Sequence, residues 1–205
     1  MEALILLKPD ASYRLMVRHK VFSWLIRQQY GKLLSLKWFL PPEELIQQHY
    51  SFLSDRPFFP WLVKFMTTLP ILVGKIQVSD SGLAGLRFDL GETQAHIARP
   101  NSIREMYGIY GGVNCVHLSD SPESAVSEVA LWEKYVELSG GVDVDFSEPA
   151  NAPDYTHRLR SLASLIKQNL HKDEASKVFT ELLAAESQLN NQHVLCEIIL
   201  ESFEV

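Results

Sequence analysis

Ala3 to Leu7 is an unbroken apolar run closed by Lys8-Pro9-Asp10, and it reads as a buried strand that Pro9 ends by removing a donor and fixing its own backbone. Val17, Val21, Phe22, Leu25 and Ile26 then recur at helical spacing up to Tyr30-Gly31, where Gly31 suits the left-handed position after a helix. Leu33 to Leu40 reads as a strand. Pro41-Pro42-Glu43-Glu44 places prolines and acids where a helix N-terminus favours them, and Leu45, Ile46, His49 and Tyr50 continue that helix. A rigid turn, Asp55-Arg56-Pro57-Phe58-Phe59-Pro60, leads into a short helix through Trp61, Leu62, Phe65 and Met66, and Pro70 to Val78 forms the next strand.

Residues 79–113 mix Gly, Pro and polar positions with short apolar pieces, which predicts short helices in a long excursion. Val113 to His117 reads as a brief strand. Ser119-Asp120-Ser121-Pro122-Glu123 caps a helix running through Val126, Val129, Ala130 and Tyr135. This order of elements suits a mixed or antiparallel sheet with helices on one face, an α+β sandwich. Past Leu138 the pattern changes. Gly140-Gly141 and the acidic stretch to Pro153 read as a linker, which divides the chain into a domain over 1–139, a linker over 140–153 and a helical extension over 154–205. Asp154 caps a helix carrying Leu159, Leu162, Ile166 and Leu170, and Asp173 one carrying Val178, Leu182 and Ala185. Asn190 or Asn191 caps a third, carrying Leu195, Ile198, Ile199 and Leu200. Such faces need a surface to bury against.

Charge is distributed unevenly. Residues 1–139 carry 14 Lys and Arg against 14 Asp and Glu, whereas 140–205 carry 5 against 11. A neutral body with an acidic end argues against nucleic acid as partner, but leaves single cations free to meet phosphates on a small ligand. The two cysteines, Cys115 and Cys196, are isolated and fit a reducing compartment. The five-residue run at Ala3 to Leu7 is too short for a signal peptide or a membrane span, so no membrane role and a cytoplasmic location are expected.

His117 ends an apolar strand just before small polar residues at a helix start, where sites often form; by position alone the favoured reading is a partly buried histidine satisfied by a neighbouring carbonyl. Lys8, Arg56, Arg87, Arg99 and Arg104 each sit beside a turn or helix start. Singly these read as surface charges; together they are what a polyphosphate requires. Neither GxxxxGK[ST] nor a GxGxxG after a strand occurs, so a nucleotide site must be built from side chains.

Four blocks occur in order: Lys8-Pro9-Asp10, the turn from Asp55 to Pro60, Leu90-Gly91-Glu92-Thr93, and Asn114-Cys115-Val116-His117-Leu118-Ser119-Asp120-Ser121. Together they resemble the nucleoside diphosphate kinase family over about residues 2–138. The resemblance implies a ferredoxin-like α+β fold with an antiparallel sheet, and transfer of a γ-phosphate from a nucleoside triphosphate to a nucleoside diphosphate through a phosphohistidine on His117. It matches Glu128 to the glutamate that holds the other side of the imidazole and Ser119 to the serine beside it. Lys8, Tyr50, Arg87, Thr93, Arg104 and Asn114 match positions that hold phosphates and ribose or line the reacting centre, Lys8 among the catalytic set. Phe58 matches the aromatic on which the base stacks, and Leu62 the apolar residue beside it. Mg²⁺ is expected to be held through the nucleotide phosphates, with no protein metal ligand, and the assembly to be a dimer-based tetramer or hexamer.

Three departures stand out. Leu118 follows the histidine where the family has glycine or a very small residue, the residues around Arg104 differ from the family's usual ones, and residues 140–205 have no counterpart in its short members. The alternative reading is a non-catalytic nucleotide-binding or scaffolding protein of the same fold.

Overall fold

The computed structural model describes residues 1–187 and 192–204. β1 (Glu2–Leu7) pairs antiparallel with both β3 (Ile71–Val78) and β4 (Val116–Leu118), and β3 pairs with β2 (Gly31–Phe39), giving the order β2-β3-β1-β4. From Ala3 to Leu7 β1 is apolar and buried, because it lies inside the sheet and neither face meets water. Ala3, Ile5 and Leu7 enter one hydrophobic cluster while Leu4 and Leu6 enter another on the opposite face, as the two-residue period of a strand requires. Burying each such aliphatic side chain is worth about 1.5–3 kcal/mol.

Helices therefore cover both faces, not one. Beneath Ala3, Ile5 and Leu7 lie α2 (Leu15–Arg27), which follows the short α1 (Pro9–Tyr13), and α5 (Asp80–Leu90). Against Leu4 and Leu6 pack α3 (Glu43–His49), α4 (Phe59–Thr67) and Trp132 of α7 (Pro122–Trp132). Between α5 and β4 the chain makes a single turn at Ala95–Ile97 and the short α6 (Ile103–Tyr107), the long excursion the sequence predicts.

Several local expectations need correction. α2 ends at Arg27, and Gly31 opens β2 with a negative φ instead of capping a helix; the amide side chain of Gln28 receives the Tyr30 and Gly31 N–H groups at 2.6 and 2.9 Å. Glycine is needed at that position for another reason, since a Cβ would stand 2.4 Å from the Gln77 carbonyl oxygen of the neighbouring strand. The last strand spans only Val116–Leu118, because Cys115 takes a left-handed φ of 72° and breaks it. α7 stops at Trp132, short of Tyr135, after a start fixed by the reciprocal capping of Ser121 and Ser124.

Beyond α7, residues 141–143 run along the outer edge of β2. Leu36 exchanges hydrogen bonds with Gly141 and Asp143 at 3.1 and 3.0 Å, so part of an otherwise open strand edge is covered. Phe146 stacks on Phe22 with ring centroids 3.5 Å apart. The extension then forms α8 (Thr156–Lys167), α9 (Lys172–Glu186) and α10 (Gln192–Glu201). The expected cap at Asn190 or Asn191 lies outside the described residues. Asp154 accepts from the Thr156 N–H at 3.0 Å, while α9 begins one residue before Asp173 with His171 at its N-cap.

The buried face of α9 consists of Ala175, Phe179, Leu183 and Glu186, one residue on from the expected Val178, Leu182 and Ala185. Tertiary packing chose that register: Phe179 and Leu183 join a cluster with Leu62, Met66, Ile109, Leu159 and Ile199, so body and extension share one core. Arg14, fully buried, bridges them with polar bonds as well. It reaches Glu186 at 2.5 Å, Thr156 at 2.6 Å and the Tyr107 carbonyl at 2.7 Å.

Candidate active site

The alternation of β4 decides what its residues do. Val116 and Leu118 point into the cluster beneath the sheet, so His117, opposite Leu6 in the register, projects to the other face. Leu118 is thus fully buried away from the histidine and fills the core, which accounts for a bulky residue there. Its carbonyl receives Arg87 Nη1 at 2.9 Å.

His117 Nε2 lies 3.0 Å from Glu128 Oε2, on the first face of α7, and Ser119 Oγ donates to the same carboxylate oxygen at 2.7 Å. Ser119 Oγ in turn accepts from the Leu4 N–H at 3.0 Å, which ties the arrangement to the central strand. Burial pushes the His117 pKa down to about 3, helped by Lys8, Arg104 and Arg87 and opposed by Asp120. The imidazole is therefore neutral at ordinary pH, and since an ionised carboxylate only accepts, Nε2 carries the proton and Nδ1 the lone pair. Burial also raises the Glu128 pKa, against the pull of His49, Ser119 and Arg87.

His117 opens on a cleft of about 620 Å³, large enough for a nucleotide. Lys8, 6% exposed, has its pKa lowered to about 8 by burial and by Arg104, and its Nζ donates to the Gly112 carbonyl at 3.2 Å. Arg104 is nearly buried as well. It bonds the Gly91 and Val116 carbonyls, both at 2.9 Å, while its Nε has no partner, and burial together with Arg87 lowers its pKa to about 10. Arg87 is more open and pairs with Asp120 at 2.5 Å. Asn114 donates to the Thr93 carbonyl at 2.5 Å, leaving its own buried oxygen without a partner. Like-charged groups held close in a partly dry cleft, with unmet polar atoms, form a site that an anion of several charges would complete.

Lys8, Tyr50, Phe58, Leu62, Arg87, Thr93, Arg104, Asn114 and His117 all line that cleft, and Glu128 and Ser119 stand behind the histidine. Arg56 and Arg99 do not join them. Arg99 instead lies over the Phe88 ring at 3.8 Å and donates to the Phe88 carbonyl. His49, which the sequence places on a helix without a role, has its ring 4.6 Å from that of His117, and its Nδ1 accepts from Trp132 Nε1 at 3.1 Å. Its burial drives its pKa to about 3. Among the described residues, His49, His117 and Glu128 form a group close enough for a metal ion, but Trp132 already occupies one nitrogen of His49, and the Glu128 oxygen facing His117 is shared with Ser119. Also unforeseen were Trp61, His96 and Tyr110, together with Lys167 and Ser202 from the extension.

A neutral, oriented imidazole facing gathered cations on an α+β sandwich is an arrangement suited to handling phosphate. The sequence model described as Nucleoside diphosphate kinase matches residues 2–138. A nucleoside diphosphate kinase from Ginglymostoma cirratum is 37% identical over 134 residues, covering 65% of this chain and 87% of that one. One from Trichormus variabilis is 42% identical over 106 residues, 52% of this chain and 70% of its own. Among solved structures, the Halobacterium salinarum nucleoside diphosphate kinase in complex with CDP superposes with a TM-score of 0.59 at 27% identity, over 78% of this chain and 97% of that one. The Aquifex aeolicus enzyme superposes with a TM-score of 0.56 at 32% identity, over 64% and 93%. The chain belongs to the nucleoside diphosphate kinase family. Among the described residues no helix is long and apolar enough to cross a membrane.

Proposed function

We propose that the protein is an active nucleoside diphosphate kinase working by a ping-pong mechanism through a phosphohistidine on His117. The observation that carries this reading is the pairing of Nε2 with Glu128, which leaves Nδ1 as the unprotonated nitrogen in a cleft holding Lys8, Arg87 and Arg104. Nδ1 attacks the γ-phosphorus of a nucleoside triphosphate; the N–P bond forms as the bond to the β–γ bridging oxygen breaks, and the diphosphate leaves. Attack places positive charge on the ring, which Glu128 offsets through Nε2–H. A second diphosphate then takes the phosphoryl group by the reverse step.

Lys8, Arg87 and Arg104 offset the phosphate charge, while Thr93 and Asn114 suit the ribose and phosphate oxygens. Phe58 and Leu62 offer the base an apolar platform, and Tyr50 lines the reacting centre. Among the described residues that line the cleft Asp120 is the one carboxylate, and it is paired with Arg87. That donor set suits a Mg²⁺ ion that arrives on the nucleotide phosphates and keeps water ligands. Bound there, the ion screens the phosphate oxygens. The same reading takes residues 1–139 as the catalytic domain, 140–153 as the linker and 154–205 as the extension, in a cytoplasmic homo-oligomer assembled from dimers as a tetramer or hexamer.

Incubation with Mg²⁺ and γ-labelled ATP tests it. Acid-labile, alkali-stable label on wild type, absent from His117→Ala and discharged by GDP, is the expected result. Failure to label a protein shown to bind ATP would overturn the kinase reading in favour of a nucleotide-binding scaffold.

A further inference from the structure

α6 carries Arg104 to the cleft, but it is only five residues long, and a helix so short leaves most of its carbonyls without helical partners. Two arginines supply donors to them. Arg160, in α8, donates from Nη2 to the Gly108 carbonyl at 2.6 Å and to the Glu105 carbonyl, with longer contacts to the Arg104 carbonyl at 3.5 Å and, from Nε, to the Ile109 carbonyl at 3.4 Å. Arg14 takes the Tyr107 carbonyl at 2.7 Å and is itself held by Glu186 and Thr156 of the extension. We infer that the C-terminal extension braces the phosphate end of the site, with Arg160 as the positioning residue that fixes the backbone from which Arg104 reaches the nucleotide. This inference rests on the kinase reading above, in which Arg104 meets the nucleotide phosphates.

Arg160 does not line the cleft, so its influence runs through α6. The head of Arg104 is tied to the Gly91 and Val116 carbonyls, and its buried Nε has no partner. Where that head stands depends on where its own backbone is held, and Arg160 grips the chain on either side of it. The Glu105 carboxylate joins the same brace: one oxygen accepts from the Asn101 N–H at 3.1 Å, and the other lies 3.6 Å from Arg160 Nη1. Little slack remains at the far end of the turn, since a Cβ at Gly108 would stand 2.6 Å from the Arg104 carbonyl oxygen.

The brace is itself anchored. Leu159, Ala163 and Ile166 of α8 are buried in the core shared by body and extension, and the Arg160 side chain is only 17% exposed. Several carbonyls gathered around one side chain call for a guanidinium, whose planar fork carries five N–H groups, whereas a lysine offers a single nitrogen. Residue 160 lies beyond the 2–138 matched by the family, so this support comes from the extension and not from the matched domain.

A side chain that merely held the extension down would affect the enzyme whether or not Arg104 were present, and a double-mutant cycle separates the two roles. Full-length wild type, Arg160→Met, Arg104→Met and the double variant are compared for the rate of His117 labelling from ATP with Mg²⁺ and for ATP affinity by calorimetry, with circular dichroism and urea midpoints confirming that each is folded. Arg160→Met should slow labelling by about tenfold and weaken ATP binding, the effect of a displaced charge at the reacting phosphate. In the Arg104→Met background the same change should alter either quantity by less than about twofold, because the group it positions is gone. Arg160→Lys, which keeps the charge but not the fork, should slow labelling by about threefold, and it carries the cycle if the methionine variant does not fold. Values within twofold of wild type for a folded Arg160 variant, or an equal loss in both backgrounds, would overturn the inference. Wild type that binds ATP without taking label removes the kinase reading instead, and the affinity arm of the cycle still decides whether Arg160 acts through Arg104.

Discussion

His117 Nε2 and Glu128 Oε2 stand 3.0 Å apart, joining the short edge strand to the helix that follows it, and Ser119 completes the contact from the intervening turn at 2.7 Å. Twelve residues of sequence, 117–128, thus bring together the histidine, the acid beside it and a hydroxyl that holds the acid. Replacing the acid tests whether its charge matters or only its position. Glu128→Gln can still accept from Nε2–H but loses the negative charge that offsets the ring as phosphorus is attacked. Single-turnover phosphorylation from ATP should slow by about 10-fold in Glu128→Gln and by on the order of 100-fold in Glu128→Ala, with ATP affinity little changed.

Leu118 is buried on the side of β4 away from the cleft. Leu118→Ala should therefore cost stability, about 2–5 kcal/mol in denaturant unfolding, because it leaves a cavity under the sheet. The rate of His117 phosphorylation in the folded fraction should stay within about twofold of wild type, since ring and phosphate contacts lie on the other face. A large loss of rate at unchanged stability would contradict this placement.

Lys8 carries the clearest pH signature. Its ordinary pKa of 10.5 falls to about 8 in the fold, so its burial opposes folding at full strength below pH 8 and progressively less between pH 8 and 10.5. Lys8→Met should accordingly raise unfolding stability at pH 7, by on the order of 1 kcal/mol after lost contacts are counted, and the gain should shrink above pH 8. The same substitution should weaken ATP binding. In wild type, ATP affinity should decline as pH rises past about 8 and the ammonium is lost, which calorimetric titration across pH 6–10 would reveal.

Arg14 and Glu186 form a buried ion pair between body and extension, 2.5 Å apart with side chains 0% and 1% exposed. Removing one partner strands the other charge. Glu186→Ala should destabilise the protein by about 3–5 kcal/mol in urea unfolding, while the double replacement Arg14→Met with Glu186→Leu should recover most of that loss. If Glu186→Ala alone proved neutral, the extension would not be held by this pair.

The residues around His117 were legible through the ordered blocks that resemble the family. His117, Ser119 and Glu128 share one strand, turn and helix, and Asn114 lies three residues before the histidine, but position alone gave the histidine no partner. Lys8 was legible for a related reason: it directly follows the central strand, whose apolar run is plain in the sequence. The extension was legible as amphipathic helices but not as to what they cover. Val178 and Phe179, or Leu182 and Leu183, are equally apolar neighbours, and the choice between them came from Leu62, Met66 and Ile109, more than 65 residues away in sequence. Arg14 gave no signal either, since a lone arginine between two helices looks like any surface charge until Glu186 and Thr156 are brought to it.

By itself, then, the sequence determined the strand and helix order and the buried central strand, because these depend on periodicity and near neighbours, and through four ordered blocks from Lys8 to Ser121 it pointed to the family and so to the histidine with its glutamate. Only the tertiary structure decided that helices cover both sheet faces, that Leu118 turns away from the cleft, and that Lys167 and Ser202 come to line it. Those outcomes are set by which apolar surfaces meet across the chain, and burial of that kind is a property of the whole packing.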